Sequence, residues 1–148
     1  MTSKSILLAL ILASGISCAQ EFGKTLNHVT VVVSDFEASK KFYTELLGLE
    51  QIDAPWLPDR KMFLALGEGL ELHVGEVEGV EIRPNGFNHF AIAVAEFDEF
   101  LQYLRSEGIV YTSLGGGEDY FISTRPDTVR QTWITDPDGY WIEINDVN

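Results

Sequence analysis

The chain has 148 residues, of which 45% are hydrophobic, and it carries a single cysteine. A chain of this length buries one sizeable core, so we expect one folded domain. Its formal net charge is −13 at pH 7, and no basic stripe interrupts the acidic pattern. These properties argue against a nucleic-acid-binding protein and are typical of an acidic, solubilising surface.

Residues 1–19 differ from the rest of the chain. They combine a short start carrying Lys4, an apolar run that ends at Ile16, and small residues up to Ala19. This pattern predicts a signal peptide cleaved after Ala19, because the apolar run is short for a membrane-spanning helix. The alternative is a bacterial lipoprotein signal, in which lipidated Cys18 becomes the new N-terminus. Both predict export, to the periplasm, the extracellular space or a lipid anchor on the membrane. The folded part then has no other cysteine, which excludes intrachain disulfides and a thiol nucleophile.

A repeat organises the rest of the chain. Residues 26–36 align without gaps with residues 87–97, so that His28 and His89 occupy equivalent places 61 residues apart. Self-similarity of this kind indicates two copies of one supersecondary unit.

In each half, the apolar strand precedes a helix and three further short strands. The first helix is expected to begin at Ser34 or Asp35 and to end at Gly48, and the second to end at Gly108. The later strand-like runs are residues 49–53, 61–66 and 70–74 in the first half, and 110–112, 131–135 and 140–145 in the second. Each half is therefore expected to be a βαβββ module, covering about residues 24–82 and 86–148.

One such module leaves a sheet face uncovered. We therefore expect an α+β fold in which two βαβββ modules pair into a curved, barrel-like cleft with the helices outside. Side chains alternate along a strand, and the bulkier apolar set is the natural partner of the helix. The cleft-facing set then includes all three histidines and two carboxylates: His28, His73, His89, Glu71 and Glu143.

Three histidines on matching faces, two of them at equivalent places of a repeat, favour a metal site over simple packing. Neutral imidazoles with a carboxylate suit zinc, iron, nickel, cobalt or manganese. We expect a divalent transition metal, of identity not fixed by the residues, at His28, His73, His89 and Glu143. A closed four-ligand site would be structural, whereas a site with open positions could be catalytic.

Several motifs then suggest a family. They are the strand Asn27-His28-Val29-Thr30, the short motifs Lys41-Phe42-Tyr43 and Leu47-Gly48-Leu49, and the segment Asp136-Pro137-Asp138-Gly139-Tyr140-Trp141-Ile142-Glu143-Ile144. Together they resemble the vicinal oxygen chelate superfamily, which includes glyoxalase I, bleomycin resistance proteins and extradiol dioxygenases. The resemblance covers residues 24–148 and implies a glyoxalase-like fold. It implies His28, His89 and Glu143 as ligands. The fourth is Glu71, as in glyoxalase I, or His73, which matches a Leu-His-Leu pattern of small members and is favoured.

The resemblance also implies a function. We expect a metal-dependent lyase or isomerase of the glyoxalase type, similar to lactoylglutathione lyase, acting on a small oxygenated substrate. A carboxylate near the metal, Glu143 or Glu71, would move the proton. The alternatives are an iron-dependent extradiol-type dioxygenase and a non-catalytic small-molecule or drug-binding protein. The expected partners are the substrate and a second copy in a homodimer, and no nucleic acid.

Two arginines leave two interpretations open. Arg125 and Arg130 would clamp a substrate carboxylate or phosphate, or they would pair with nearby acidic residues. We favour the second interpretation for each arginine taken alone.

Overall fold

The computed structural model describes residues 25–147, so the signal peptide expected at residues 1–19 and the alternative at Cys18 lie outside the described residues. In chain order the elements are β1 (His28–Val33), α1 (Phe36–Lys40), β2 (Lys61–Gly67), β3 (Leu70–Glu76), β4 (His89–Ala93), α2 (Phe97–Ser106), β5 (Ser123–Thr124), β6 (Arg130–Thr135) and β7 (Trp141–Asn145). A π-helical segment, Lys41–Leu46, continues α1 directly. Within residues 25–147, no helix is long and apolar enough to cross a membrane.

Two mixed sheets form the framework of the fold. The first has the strand order β1-β3-β2 and the second the order β4-β7-β6-β5. The first strand of each half runs parallel to the last, β1 to β3 and β4 to β7, and the other pairs are antiparallel. The α+β class and the two-module glyoxalase-like architecture are thereby confirmed.

The strands expected directly after each helix are shorter than the sequence predicts. The run at residues 49–53 is reduced to an isolated bridge between Gln51 and Leu64. The run at residues 110–112 is likewise reduced to bridges made by Thr112. After residue 53 the first run meets Pro55, which has no backbone N–H to continue a ladder. The first module is therefore a βαββ unit with one vestigial strand, whereas the second keeps three strands after its helix because the two-residue β5 joins its sheet.

Capping residues mark the start of α1 and the end of its π-helical continuation, whereas α2 begins without a side-chain cap. The Asp35 side chain accepts a hydrogen bond from the Ala38 N–H at 3.1 Å, which caps α1. Gly48 follows the π-helical segment with φ +68°, a conformation that glycine adopts without strain. In α2, the buried face is formed by Phe97, Leu101 and Leu104, at the i, i+4 and i+7 spacing of one side of a helix.

Both modules contribute to one hydrophobic core on the helix side of the sheets. Val31 and Val33 of β1 are almost completely buried, and so are Ile142 and Ile144 of β7. The alternation expected for these strands is therefore confirmed. Each fully buried side chain of this size contributes about 1.5–3 kcal/mol to folding, so the core fixes which face of each sheet remains outside.

A turn of the second module is bonded to the first. The Tyr43 hydroxyl donates a hydrogen bond to Asp136 Oδ2 at 2.8 Å, and the Ser34 N–H donates to the Asp138 carboxylate at 3.0 and 3.1 Å. Asp136 also accepts from the N–H groups of Asp138 and Tyr140. Burial raises the pKa of Asp136, although these hydrogen bonds act in the opposite direction. The turn therefore sets the position of one module relative to the other.

Candidate metal centre

The open face of the first sheet carries the first group of expected site residues. Its strand register aligns three rows of side chains, in the order β1, β3, β2: His28, Glu71 and Ala65; Thr30, His73 and Phe63; Val32, Gly75 and Lys61. The rows lie one pleat repeat apart, about 7 Å. All three expected site residues of the first module therefore lie on one face.

We name His28, Glu71 and His73 the first half-site. The His73 ring is stacked between Phe63, with ring centroids 3.6 Å apart, and His28, with centroids 4.2 Å apart. Its Nε2 lies 2.7 Å from Glu71 Oε2. His28 Nδ1 lies 2.8 Å from Asn27 Oδ1, an acceptor, which leaves His28 Nε2 with the lone pair of a neutral ring. Two imidazoles and a carboxylate are thus clustered.

The open face of the second sheet carries the other expected ligands. Its rows, in the order β4, β7, β6, are His89, Trp141 and Thr135; Ala91, Glu143 and Trp133; Ala93, Asn145 and Gln131. We name His89 and Glu143 the second half-site. The side chains of Ala91 and Ala93, on the same face of β4 as His89, are small and leave space beside the second half-site.

The hydrogen bonds of His89 identify its tautomer. Nδ1 lies 2.8 Å from the carbonyl oxygen of Gly86, and a carbonyl oxygen can only accept, so Nδ1 carries the proton. In a neutral ring, Nε2 then has the lone pair, and it faces Glu143 Oε2 at 3.3 Å. Two electron-pair donors at this distance repel each other unless a proton or a metal ion lies close to both. A backbone acceptor on the second ring nitrogen is also what a metal-binding histidine usually has.

The Glu143 carboxylate is held firmly. It is 9% exposed, and its Oε1 accepts a hydrogen bond from Asn145 Nδ2 at 2.8 Å. The Trp133 ring stands edge-on to His89 with centroids 6.4 Å apart, and it is 5% exposed. We did not assign a role to Asn145 or Trp133 from the sequence, although strand alternation places both on the face of Glu143.

The register of the two sheets distinguishes His73 from Glu71. Thr30 pairs with His73, and Ala91, which is 61 residues after Thr30, pairs with Glu143. His28 pairs with Glu71 and His89 with Trp141 in the same way. His73 is therefore the positional counterpart of Glu143, and Glu71 is the counterpart of Trp141.

Within one chain, the two half-sites are only partly brought together. His28, Glu71 and His89 line one cavity of about 320 Å³ between the β1 and β4 edges. However, among residues 25–147 no group of three or more His, Cys, Asp or Glu side chains converges closely enough to hold a metal ion. The donor types fit a transition metal, and the four-ligand set remains a prediction.

Both arginines, Arg125 after β5 and Arg130 at the start of β6, are paired with acidic residues. Arg130 bonds Asp98 through Nη1 at 2.8 Å and Asp146 through Nε at 2.7 Å. Arg125 bonds Asp127. Hydrogen bonds from Arg130 also lower the pKa of Asp146. The interpretation as acid-paired arginines is therefore the one that the structure supports.

Comparison with known proteins agrees with the fold. A lactoylglutathione lyase of Salmonella typhimurium is 29% identical over 127 residues, which cover 80% of this chain and 90% of that protein. A lactoylglutathione lyase of Schizosaccharomyces pombe is 27% identical over 80% of this chain, but the match covers only 46% of that longer protein. The solved structure of the oxidase ChaP-H2 is 26% identical, with a TM-score of 0.69, and the match covers 86% of this chain and 96% of that one.

Paired modules with histidines and carboxylates on their open faces define a class of proteins that bind small molecules. The profile of the Glyoxalase/Bleomycin resistance protein/Dioxygenase superfamily matches residues 25–144, and the chain belongs to this family. Most members of the superfamily are enzymes, they typically use divalent metals, and they often form dimers.

Proposed function

We propose that this chain is a metal-dependent lyase or isomerase of the glyoxalase type that acts on a small oxygenated substrate. The observation that carries the proposal is that His89 Nε2 and Glu143 Oε2 face each other at 3.3 Å, with His89 Nδ1 bonded to a backbone carbonyl. The residues proposed to hold the metal are His28, His73, His89 and Glu143. The positional equivalence of His73 and Glu143 supports His73 as the fourth ligand.

In the proposed chemistry, some residues bind the metal and a different residue acts as the base. His28, His73, His89 and Glu143 would hold a divalent metal, which would supply Lewis acidity toward the substrate oxygens. The hydrogen bond at 2.7 Å occupies both His73 Nε2 and Glu71. If Nε2 is used as a ligand, the Glu71 carboxylate loses this bond and becomes available to accept a substrate proton. Asn145 keeps the Glu143 carboxylate oriented through its hydrogen bond to Oε1.

We further propose that the centre is completed by a second copy of the chain. Each half-site offers two of the four ligands, which is fewer than a transition-metal site in a protein normally uses. In a twofold dimer, the first half-site of one copy meets the second half-site of the other, and symmetry repeats the contact. The arrangement therefore gives two equal sites per dimer and leaves no half-site unused.

Metal analysis of the protein without residues 1–19 tests the proposal. We expect about one equivalent of a transition metal per chain and its loss in a His89→Ala variant. Glu107→Ala is the matched control, because Glu107 lies in the groove between the helices and not on a sheet face. Absence of metal in the unaltered protein, even after soaking with zinc, nickel, manganese and ferrous iron, would favour the non-catalytic binding protein instead.

Mixing two defective variants tests the shared site. One carries His28→Ala with His73→Ala, and the other carries His89→Ala with Glu143→Ala. Mixed dimers would contain one site with all four ligands and one site with none. Each mixed dimer should therefore bind about one metal ion, which is half of the number bound by the unaltered dimer. If metal binding does not recover although mass spectrometry shows mixed dimers, the site lies within one chain or does not exist.

A second candidate function is an extradiol-type dioxygenase. Its support is the 26% identity to a protein named as an oxidase, and the availability of two histidines and a carboxylate, the ligand set of many non-haem iron oxygenases. Oxygen consumption with catechol by the iron-loaded protein would support this candidate. Isomerisation or lyase activity with no oxygen uptake would support the first.

Export remains part of the proposal. Residues 1–19 carry the signal pattern, and either cleavage after Ala19 or lipidation at Cys18 would place the enzyme outside the cytoplasm. Mass spectrometry of the N-terminus after expression with the full sequence distinguishes the two outcomes, with Cys18→Ala as the control. Recovery of an uncleaved chain in the cytoplasmic fraction would contradict export.

A further inference from the structure

A second cavity lies over the first sheet, next to the first half-site. Its volume is about 290 Å³, and Phe63 and His73 line it on the sheet side. Leu57 and Pro58, from the loop before β2, and Val77 also line it. It therefore offers an apolar space that begins at a proposed metal ligand and extends away from it along the sheet.

The charge of this cavity is opposite to that of the molecule. Among its lining residues there is no carboxylate, and Lys61 is the one lysine. Each of the other four cavities described includes at least one acidic residue: Glu45 and Glu107, Asp53, Glu71, or Asp146. In a chain of net charge −13, a cavity of this polarity favours an anion.

Lys61 is placed to meet a ligand on the sheet. It belongs to the row next to that of Phe63 and His73, about 7 Å along the strand. Its aliphatic stem covers Gly75, where an added Cβ would lie 3.3 Å from Lys61 Cγ. Among residues 25–147, no carboxylate lies within 4 Å of the Lys61 ammonium group. The ammonium group thus has no partner in the described part of the chain.

We propose that Lys61 binds a carboxylate of the substrate. The inference rests on the proposed function and deepens it, since the substrate class becomes a small organic acid. The carboxylate would bind at the row of Lys61, which lies one row, roughly 7 Å along the strand, from the row of the proposed ligand His73. A single ammonium group with apolar walls matches a singly charged carboxylate on a hydrocarbon chain, whereas a phosphate normally receives several donors.

Two titrations test Lys61, one with metal and one without. The nickel-loaded protein is titrated with 3-(3,4-dihydroxyphenyl)propionate and with the corresponding amide, which has the same vicinal oxygens but no charge. We expect the carboxylate to bind about fivefold more tightly, the upper end for a solvent-accessible ion pair. Lys61→Met should remove the preference, and Lys61→Arg should retain it. Lys41→Met, in the groove between the helices, should leave it unchanged.

The metal-free protein is titrated with 3-phenylpropionate and followed by amide NMR. We expect shifts at Gly75 and Val77 that are absent with 3-phenylpropanamide and in Lys61→Met. This titration decides the role of Lys61 even if the protein takes up no metal, an outcome that would overturn the proposed function alone. Equal binding of acid and amide, shifts that persist in Lys61→Met, or tighter binding of 2-phenylethyl phosphate would overturn the carboxylate site.

Discussion

The two half-sites occupy the same strand register but differ in how their side chains are held. In the second, Glu143 is nearly buried and Asn145 bonds one of its oxygens. In the first, Glu71 is half-buried and its bond is to His73. The position equivalent to Asn145 is Gly75, which leaves space above the sheet instead of a supporting amide. The comparison indicates that the second sheet fixes ligand geometry, whereas the first sheet provides room for the substrate.

The largest difference is expected between the two carboxylates. Glu143→Gln should weaken metal binding by more than the roughly 10–100-fold that loss of a supporting group costs, because a direct ligand is altered. Glu71→Gln should leave metal binding nearly intact and lower kcat by about 10²–10⁴-fold, the contribution of a general base. Metal titration and steady-state kinetics on both variants check this. Loss of metal in Glu71→Gln, with retention in Glu143→Gln, would reverse the assignment.

The supporting positions should differ next. Asn145→Ala removes the amide that orients Glu143, so we expect metal affinity to fall by about 10–100-fold. Gly75→Ala alters the equivalent position of the first sheet, where the three atoms nearest to the new methyl group all belong to the flexible Lys61 stem. It should change metal affinity little. Competition with a chromophoric chelator measures both, and equal effects would show that the half-sites are supported alike.

The bond between Tyr43 and Asp136 joins the first module to a turn of the second. Tyr43→Phe removes the hydroxyl that donates to the buried carboxylate, and we expect the free energy of unfolding to fall by about 1.5–3 kcal/mol. The matched control is Tyr103→Phe, because the Tyr103 hydroxyl makes only a 3.5 Å contact with a backbone carbonyl of the first module. That variant should stay within about 0.5 kcal/mol of the unaltered protein in urea unfolding.

The smallest effect is expected from pH. Burial raises the pKa of Asp136 above 3.8, so between 3.8 and its folded pKa the folded state binds more protons than the unfolded state. The contribution of Asp136 to stability is therefore fully present below 3.8 and is lost as pH rises through its folded pKa. Unfolding at a series of pH values, compared with Asp136→Asn, should show this decline in the unaltered protein relative to the variant. Parallel curves would contradict it.

Much of the fold followed from the sequence because its signals are local. The repeat places two equivalent strands, and alternation within β1 and β7 assigns each residue to the core or to the open face. Val33 and Ile142 were buried as expected for this reason, and His28 and Glu143 lie on the opposite faces. Because side chains along a strand alternate with a period of two residues, the sequence alone assigns each side chain to one face of its sheet, whatever that sheet packs against.

The remaining features depend on contacts between distant segments. The alternation of side chains along a strand does not predict that Arg130 pairs with Asp98 and Asp146. It also does not predict that, among residues 25–147, the half-sites remain separate within one chain. The strand expected at residues 49–53 was wrong in extent, because pairing there depends on a partner and is interrupted before Pro55. The role of Lys61 also lay outside the sequence signals, since it depends on the absence of nearby carboxylates in the folded protein.

The bond between Tyr43 and Asp136 also bears on how the chain acquires its structure. The donor and the acceptor are 93 residues apart, so the Tyr43 hydroxyl of the first module has no native partner until Asp136 of the second module has been synthesised. A buried hydroxyl without a partner is costly, which makes an isolated first module less stable than the same module in the complete protein. Folding is therefore expected to be a single cooperative event, with native contacts between distant segments forming late.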